Sequence, residues 1–384
     1  MTSGNNIFCL GGQENTLAVS RYASSLGLKT IYFDFDKTEV SFSRYILFKK
    51  LEKTPEDDIL SCLLEVKENL GNNKPFIFFN SDYFVRFAYN HRIVLAEEFD
   101  FIIPNSKIIE CALDKGRMDE ILPTRLLPTI FPIKTSDQLF CLSPPLMVKP
   151  RDTSKEIPFK TRILKSLTEF SNFANIYNGQ FGNFLFQEVI NEPGRRPISI
   201  FFYIKPEGRF YSVAIERERM NPHWGGVGCL IKATKCEFAE QIEKVLRQMD
   251  YVGLGEIDVY ESRDKITIFD LNVRLPSWAF FAKKCGVDLM GMYLRDLSKG
   301  TITLTERAAC NSDRSIKAID LINDMEVVFH PRKGLLFNGK LTVAQYLKSI
   351  RCVRCFFIFN LVDFRPFFYK MMMELLNIVR KNGY

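Results

Sequence analysis

Two stretches decide the fold of this chain: Gly255-Glu256-Ile257-Asp258 and Asp270-Leu271-Asn272-Val273-Arg274. Both stretches are typical of β-strands, and the short polar segment between them predicts a hairpin. If residues 263–265 form a three-residue loop, Asp258 lies directly opposite Asp270, with Cβ atoms about 5 Å apart. Apolar neighbours predict that the hairpin is half-buried: Leu254, Ile268 and Phe269.

One face of this hairpin carries the candidate chemistry. Residues 270, 272 and 274 alternate by two, so they share the face that Asp258 occupies. That face presents two carboxylates, one amide oxygen and one guanidinium group. Oxygen ligands at this density suit Mg²⁺, and an adjacent arginine suits a phosphoryl or carboxylate oxygen. The hairpin therefore predicts a site for a metal and a phosphorylated ligand.

Two lysines upstream of the hairpin extend this interpretation. Lys149 ends the apolar stretch Leu146-Met147-Val148, and Lys115 follows Asp114 at the start of a predicted helix. A lysine at the end of an apolar strand often only extends its ammonium group into water. Because both lysines precede a metal-type hairpin, we favour the alternative that they bind phosphates as point charges.

A third segment, residues 184–190, reads as a strand that ends in Gln187, Glu188, Val189 and Ile190. The turn residues of 191–194 follow it. A strand that ends in a loop exposes backbone N–H and C=O groups, which can recognise the edge of an adenine base.

The start of the chain predicts a different kind of domain. A buried strand at 6–10, a helix at 14–27 and a strand at 29–34 form a β-α-β unit, which favours a parallel sheet with a right-handed crossover. A dinucleotide-dependent oxidoreductase is disfavoured, because Gly11-Gly12 lacks the spaced glycines of that fingerprint. Residues 1 to about 105 are therefore predicted to form a small doubly wound domain.

Composition narrows the remaining function classes. The 384 residues are 46% hydrophobic and 25% charged, which excludes disorder, collagen and coiled coil as the main architecture. The net charge of +7 is too small for the electrostatic footprint of a nucleic-acid-binding protein. The sequence shows neither a signal peptide nor an apolar run of membrane-spanning length, so a cytoplasmic protein is expected. Cys352 and Cys355 lack a second pair of ligands nearby, which argues against zinc.

The order of these motifs resembles the ATP-grasp superfamily, specifically the carbamoyl-phosphate-synthase-like carboxylate–amine ligases and their D-aspartate-ligase-like group. The resemblance extends from residue 10 to about residue 300. The motifs that carry it are Leu10-Gly11-Gly12, Ser43-Arg44-Tyr45, Asn80-Ser81-Asp82, Asp114-Lys115, Leu127-Pro128-Thr129, Met147-Val148-Lys149-Pro150, Gln187-Glu188, Arg217-Glu218-Arg219, Asp258, Asp270-Leu271-Asn272-Val273-Arg274 and Cys285-Gly286-Val287-Asp288-Leu289.

The resemblance implies an α/β lead domain at residues 1–112 and an α+β ATP-grasp domain at residues 113–305. It also implies a mobile lid at about 150–230, and it leaves residues 306–384 as a basic, Phe-rich extension. The implied reaction is ATP-dependent joining of a carboxylate to an amine, or to a thiol, through an acyl phosphate. The implied cofactors are ATP and two Mg²⁺ ions, for which Mn²⁺ can substitute.

The resemblance also assigns roles to individual residues. Lys115 and Lys149 would contact the phosphates of ATP, and Arg274 would steady the γ-phosphate or the acyl phosphate, with Arg217 or Arg219 assisting. The catalytic set is therefore Arg274, Lys149 and Arg219. The adenosine set is Gln187, Glu188, Val189, Ile190 and, for the ribose, Glu192. The two metal ions would bind Asp258, Asp270 and Asn272.

Three departures from the family pattern leave alternatives open. Asp270 stands where the family usually has Glu, residues 151–156 contain no glycine where the lid loop is usually glycine-rich, and Gly194-Arg195-Arg196 replaces an expected acidic position. The glycine-free loop motivates an ATP-binding scaffold or regulatory protein without turnover. A bicarbonate-activating enzyme is a further alternative. The acid substrate is not encoded, and its candidates include amino acids, bicarbonate and precursors of the cell envelope or of polysaccharides.

The last segment has two interpretations. Residues 351–384 contain six basic and two acidic residues, which is +4 of the total of +7, together with many phenylalanines. We favour a last strand at 353–362 and a packed helix at 366–380. The alternative is peripheral contact with an anionic membrane surface, which would favour a lipid-linked or polysaccharide substrate.

Overall fold

The structure is a computed structural model of the chain. It describes residues 6–71, 74–152, 159, 161–190, 194–221, 227–300, 302, 316–330 and 333–382.

The lead domain contains a parallel sheet with helices packed around it. Its elements are β1 (Ile7–Leu10), α1 (Glu14–Ser25), β2 (Thr30–Asp34), β3 (Ile46–Lys50), α2 (Glu56–Glu68), β4 (Phe76–Phe79), α3 (Asp82–Asn90), α4 (Arg92–Glu98) and α5 (Ser106–Leu113). The strand order is β3-β2-β1-β4, and each neighbouring pair is parallel. All residues of β1 and β4 are buried, as expected for the inner strands of a parallel sheet. The predicted doubly wound lead domain is confirmed.

A second, antiparallel sheet of four short strands follows. Its elements are β5 (Ile130–Phe131), α6 (Ser136–Phe140), β6 (Leu146–Pro150), β7 (Arg162–Leu164), α7 (Leu167–Ile176) and β8 (Phe184–Glu188). The strand order is β5-β8-β6-β7. Phenylalanines supply much of its separate apolar core, including Phe170, Phe173 and Phe186.

The largest sheet has seven strands, and it contains the predicted hairpin. Its elements and their helices are β9 (Arg196–Ile204), β10 (Phe210–Asn221), β11 (Val227–Thr234), α8 (Ala239–Gln248), β12 (Gly253–Glu261), β13 (Ile266–Asn272), α9 (Ala279–Lys284), α10 (Leu289–Leu297), β14 (Lys317–Ile319), α11 (Leu321–Phe329), α12 (Val343–Ile350), β15 (Val353–Phe356) and α13 (Arg365–Asn382). The strand order is β13-β12-β9-β10-β11-β14-β15.

The strand order corrects the boundaries that the sequence suggested for the lid. The lid was expected at about 150–230, but β9 lies at the centre of the large sheet, between β12 and β10. Its residues 198–204 are buried. The second half of the expected lid is therefore part of the main sheet, and only the small sheet forms a separate layer.

The C-terminal extension is likewise part of the main body. Strand β14 pairs with β11, and β15 pairs with β14, so residues after 316 complete the large sheet. The helix predicted at 366–380 is confirmed as α13, whereas the strand predicted at 353–362 ends at Phe356. Helix α13 returns to the lead domain, where Tyr369 stacks on Phe42 with ring centroids 4.1 Å apart.

Two apolar clusters join the lead sheet to the large sheet. Phe8 and Leu10 belong to one cluster with Ile257 of β12, and Cys9 belongs to the other with Phe201 of β9. Alternate side chains of β1 thus enter different clusters. This packing brings the carboxyl ends of the lead strands close to the end of the hairpin. Among the described residues, no helix combines the length and apolar character needed to cross a bilayer.

Candidate active site

A cavity of about 970 Å³ lies where the lead domain, the small sheet and the large sheet meet. Charged side chains from all three parts line it. Charged or polar lining residues from the segments that the sequence analysis singled out are Lys115, Lys149, Gln187, Glu188, Arg217, Glu256, Asp258, Asp270, Asn272 and Arg274. The lead domain adds residues 12–15 and 80–83, and α13 adds Tyr369, Lys370, Met373 and Glu374.

The hairpin places Asp258 opposite Asp270, as the sequence predicts, but its turn and its register differ from the expected ones. The turn is one residue shorter than expected, because Glu261 pairs with Ile266 and Ser262 N–H donates to the Lys265 carbonyl at 2.9 Å. A register shift follows, since Val259 pairs with Ile268. The extra residue is Phe269, which forms a β-bulge and restores the expected pairing.

Each of the two opposed aspartates contacts a cation. Asp258 contacts the Arg217 guanidinium and accepts a hydrogen bond of 2.5 Å from Ser199 Oγ. Asp270 contacts the Lys115 ammonium group. Burial by itself would raise the pKa of Asp270, but the charges of Lys115 and Lys149 outweigh it and hold that pKa below its ordinary value. Each aspartate therefore lies beside a cation of the chain, and the side chain of Asp258 is more buried than that of Asp270.

Glu256 is a site residue that the sequence interpretation missed. It pairs with Asn272 across the hairpin, and Asn272 Nδ2 donates to its carboxylate at 3.3 Å. Trp278 Nε1 donates to its other oxygen at 2.7 Å. Burial, and then the charge of Asp258, raise the pKa of Glu256 to about 8. The same period of two that grouped residues 270, 272 and 274 would have found it, because Glu256 precedes Asp258 by two residues.

Lys149 is a buried lysine at the end of β6. Its Nζ lies 3.5 Å from the Phe269 carbonyl oxygen and 5.3 Å from the centroid of the Phe269 ring. Within the described part of the chain, it forms no salt bridge. Burial, and then the charge of Lys115, lower the pKa of Lys149 to about 8. Its charge is thus poorly compensated, which suits a group that awaits an anionic ligand.

Arg274 connects the hairpin to the lead domain. Its Nε donates to Asp82 Oδ1 at 2.7 Å. Burial by itself would lower the pKa of Arg274, but Asp82, Glu256 and Asp270 outweigh it and raise that pKa. Asp82 follows Ser81, whose side chain caps the N-terminus of α3. The Asn80-Ser81-Asp82 segment therefore fixes the position of the Arg274 guanidinium at the edge of the cavity.

The expectation for Arg219 is corrected by its position. Arg217 pairs with Ile231 and Arg219 pairs with Leu230, so Glu218 is an extra residue in β10. This bulge turns Arg219 to the opposite side of the sheet. There it contacts Asp324, donates to Ser349 Oγ at 2.6 Å and lies over the Tyr346 ring. Arg217 lines the cavity, and Arg219 does not.

The segment predicted for adenine lies at the end of β8, in the small sheet. Gln187 and Ile190 line the cavity, as does Glu188. The Glu188 N–H donates to the Thr129 carbonyl at 3.0 Å, and its side chain accepts from Thr129 N–H at 2.9 Å. The Glu188 N–H is therefore already engaged. Val189 is not among the lining residues, and Glu192, predicted for the ribose, lies outside the described residues.

The chain is similar to three solved structures of low sequence identity. The biotin carboxylase domain of Hydrogenobacter thermophilus 2-oxoglutarate carboxylase, bound to MgADP, ADP and bicarbonate, is 16% identical with a TM-score of 0.58, covering 79% of this chain and 71% of that one. N5-carboxyaminoimidazole ribonucleotide synthetase from Thermus thermophilus is 16% identical with a TM-score of 0.58, covering 79% and 81%. The synthetase from Staphylococcus aureus with ADP is 12% identical with a TM-score of 0.59, covering 79% of each chain.

The chain has the ATP-grasp fold. No protein-family model and no curated protein matches the sequence. Since the similar structures are less than 25% identical to this chain, they establish the fold, and the role of the cavity depends on its own residues.

The hairpin of this ATP-grasp fold provides the donors for the expected metal. Asp258, Asp270 and Asn272 face one side and offer only oxygen donors besides the amide nitrogen, which fits Mg²⁺ in chemical type. In the described ranges, no group of three or more His, Cys, Asp and Glu side chains is arranged to hold a metal by itself. Arg217 contacts Asp258 and Lys115 contacts Asp270, so cations of the chain itself compensate these two carboxylates.

Proposed function

We propose that this chain is an ATP-dependent ligase that activates a carboxylate as an acyl phosphate and transfers the acyl group to an amine. One observation carries the proposal: two opposed aspartates, a buried lysine without a salt bridge among the described residues and a fixed arginine line one cavity of the ATP-grasp fold. The similar structures are an enzyme domain bound to MgADP and bicarbonate and two synthetases, one of them bound to ADP.

The proposed reaction has two steps, phosphoryl transfer and acyl transfer. The substrate carboxylate attacks the γ-phosphorus of ATP, and the bond to the bridging oxygen breaks as ADP leaves. The amine nitrogen then attacks the acyl carbon, inorganic phosphate leaves with the electron pair of the C–O bond, and the leaving phosphate accepts the proton that the nitrogen loses. Lys149 would neutralise charge on the transferred phosphoryl group, and Arg274 would orient it.

Mg²⁺, when bound, would supply further charge neutralisation at the phosphate oxygens. Asp258, Asp270 and Asn272 would hold it. Arg217 contacts Asp258 and Lys115 contacts Asp270, so these two cations would become available to phosphate oxygens if a metal took over the carboxylates.

Several carboxylates are candidates for the acid substrate. Bicarbonate is bound in one of the similar structures, and it is the second candidate for the acid. Amino acids and precursors of the cell envelope or of polysaccharides are the others, and a thiol could replace the amine. A binding protein without turnover would show tight ATP binding and no substrate-stimulated ADP release.

The test is a coupled ADP-release screen over pairs of acids and amines with Mg²⁺, followed by Asp270→Asn on the active pair. We expect this substitution to lower ADP release about a hundredfold or more, because it removes a negative charge at the proposed metal site. Asp264→Asn in the turn of the same hairpin is the matched control, since Asp264 is exposed. Equal ADP release from the Asp270 variant and the wild type would remove the metal site from the proposal.

A further inference from the structure

Helix α13 has two faces with different surroundings. Its inner face contacts the protein: Tyr369 stacks on Phe42, Lys370 pairs with Glu14, and Met373 lines the cavity. These contacts fix the rotation of the helix about its axis. The opposite face is consequently presented to the outside.

That opposite face is apolar. We call it the outer apolar face, and it consists of Phe364, which directly precedes the helix, with Phe368, Met372, Leu375 and Leu376. These side chains follow each other at spacings of three and four residues and are 41–55% exposed. Leu361 and Val362, just before them, are 82% and 61% exposed. Single exposed apolar residues are ordinary, but a continuous face of this kind indicates an interaction surface.

Among the described side chains after position 350, the exposed charges have one sign. Of the two acidic residues after position 350, Asp363 is buried against Arg21 and Ser43, and Glu374 lines the cavity. Arg351, Arg354 and Arg365 are exposed. The two acidic groups therefore lie inside, as does Lys370, while the three arginines remain outside.

We propose that the outer apolar face of α13 docks on an anionic lipid surface. An amphipathic helix with apolar residues on one face and basic residues beside it lies in the membrane interface, and each basic residue near the surface strengthens the attraction. A second copy of this chain fits less well. A symmetric dimer would bring the same face of both copies together and so place basic residues against basic residues.

The test is co-sedimentation of the full-length chain with vesicles of phosphatidylcholine alone and of phosphatidylcholine mixed with phosphatidylserine. The variant is Phe368→Glu with Leu375→Glu. The matched control is Ile93→Glu with Ile176→Glu, since both isoleucines are exposed elsewhere on the protein. We expect wild type and control to bind the mixed vesicles, more weakly as salt is added, and the α13 variant to bind about tenfold more weakly or not at all.

Circular dichroism would check that the variant unfolds at the wild-type temperature, as substitutions of exposed residues should allow. Equal pelleting of the wild type with and without vesicles would overturn the proposal. Equal vesicle binding by the wild type and the α13 variant would overturn it as well. A third outcome would also overturn it: the wild type forms a concentration-dependent dimer, the α13 variant does not, and neither binds vesicles.

Discussion

Lys149 and Lys370 both line the cavity with little exposure to solvent, yet their surroundings shift the pKa of the ammonium group in opposite directions. Lys149 is buried without a salt bridge among the described residues, and its pKa falls to about 8. Burial would also lower the pKa of Lys370, but three carboxylates outweigh it and raise that pKa: Glu14, Asp320 and Glu39. These lie 3.2, 3.5 and 4.0 Å from Lys370 Nζ.

The difference between the two lysines separates a ligand-binding charge from a structural one. A buried charge that already has partners gains little from a further anion, whereas a buried charge without them gains a great deal. Lys370 therefore ties α13 to the lead domain and to α11. Lys149 is the charge that remains available for phosphate.

The strongest test of this contrast is Lys149→Met. We expect ADP release by the active substrate pair to fall about a hundredfold or more, because a charge that stabilises the transferred phosphoryl group is lost. Stability should not fall, since a buried ammonium group without a salt bridge among the described residues is replaced by an apolar side chain of similar length. ADP release and thermal unfolding are the two measurements.

Lys165→Met is the matched control for this substitution, because Lys165 is exposed beside the small sheet. It should leave both quantities within the error of the wild type. If Lys149→Met released ADP at the wild-type rate, Lys149 would be a packing residue whose ammonium group has no part in the reaction.

The second test is Lys370→Met, for which we expect the reverse pattern. Removing this cation leaves Glu14 and Asp320 close together without their partner, which should lower the free energy of unfolding by about 3–5 kcal/mol. Urea unfolding followed by circular dichroism measures it. Lys348→Met on the neighbouring helix α12 is the control, because Lys348 is exposed. A loss below about 1 kcal/mol would show that the cluster contributes little to holding α13 in place.

The sequence predicted the chemistry of the hairpin better than its geometry. Two departures cancelled: the turn is one residue shorter than expected, and the bulge at Phe269 adds one residue back. The pairing of Asp258 with Asp270 was therefore right for a reason that the sequence does not display. Glu256 could have been found by alternation, whereas its contact with Trp278 depends on packing of the following segment.

The sequence failed where one residue changed the register or where partners were distant. The bulge at Glu218 separates Arg217 from Arg219, although alternation by two places them together. The carboxylates around Lys370 come from positions 14, 39 and 320, which no local pattern connects. The central position of β9 depends in the same way on long-range pairing, which explains the error in the boundary of the lid.

The smallest expected effect is a pH dependence of ATP binding. Below pH 8, Lys149 is protonated in the free protein and ready for phosphate. Above pH 8, Lys149 is neutral in the free protein. Binding of the ATP phosphates to its ammonium form then requires that Lys149 take up a proton. Apparent ATP affinity should therefore fall as pH rises, by about tenfold between pH 7 and pH 9, if bound ATP keeps Lys149 protonated throughout.

Isothermal titration calorimetry in buffers of matched ionic strength would measure this dependence. Lys149→Arg isolates the effect, because a guanidinium group keeps its charge over the whole range and should flatten the profile. Glu256 also titrates near pH 8, so Glu256→Gln is needed as a second variant, and it should retain the decline that belongs to Lys149. A wild-type profile that stays flat, or a decline that persists in Lys149→Arg, would show that the charge on Lys149 does not govern phosphate binding.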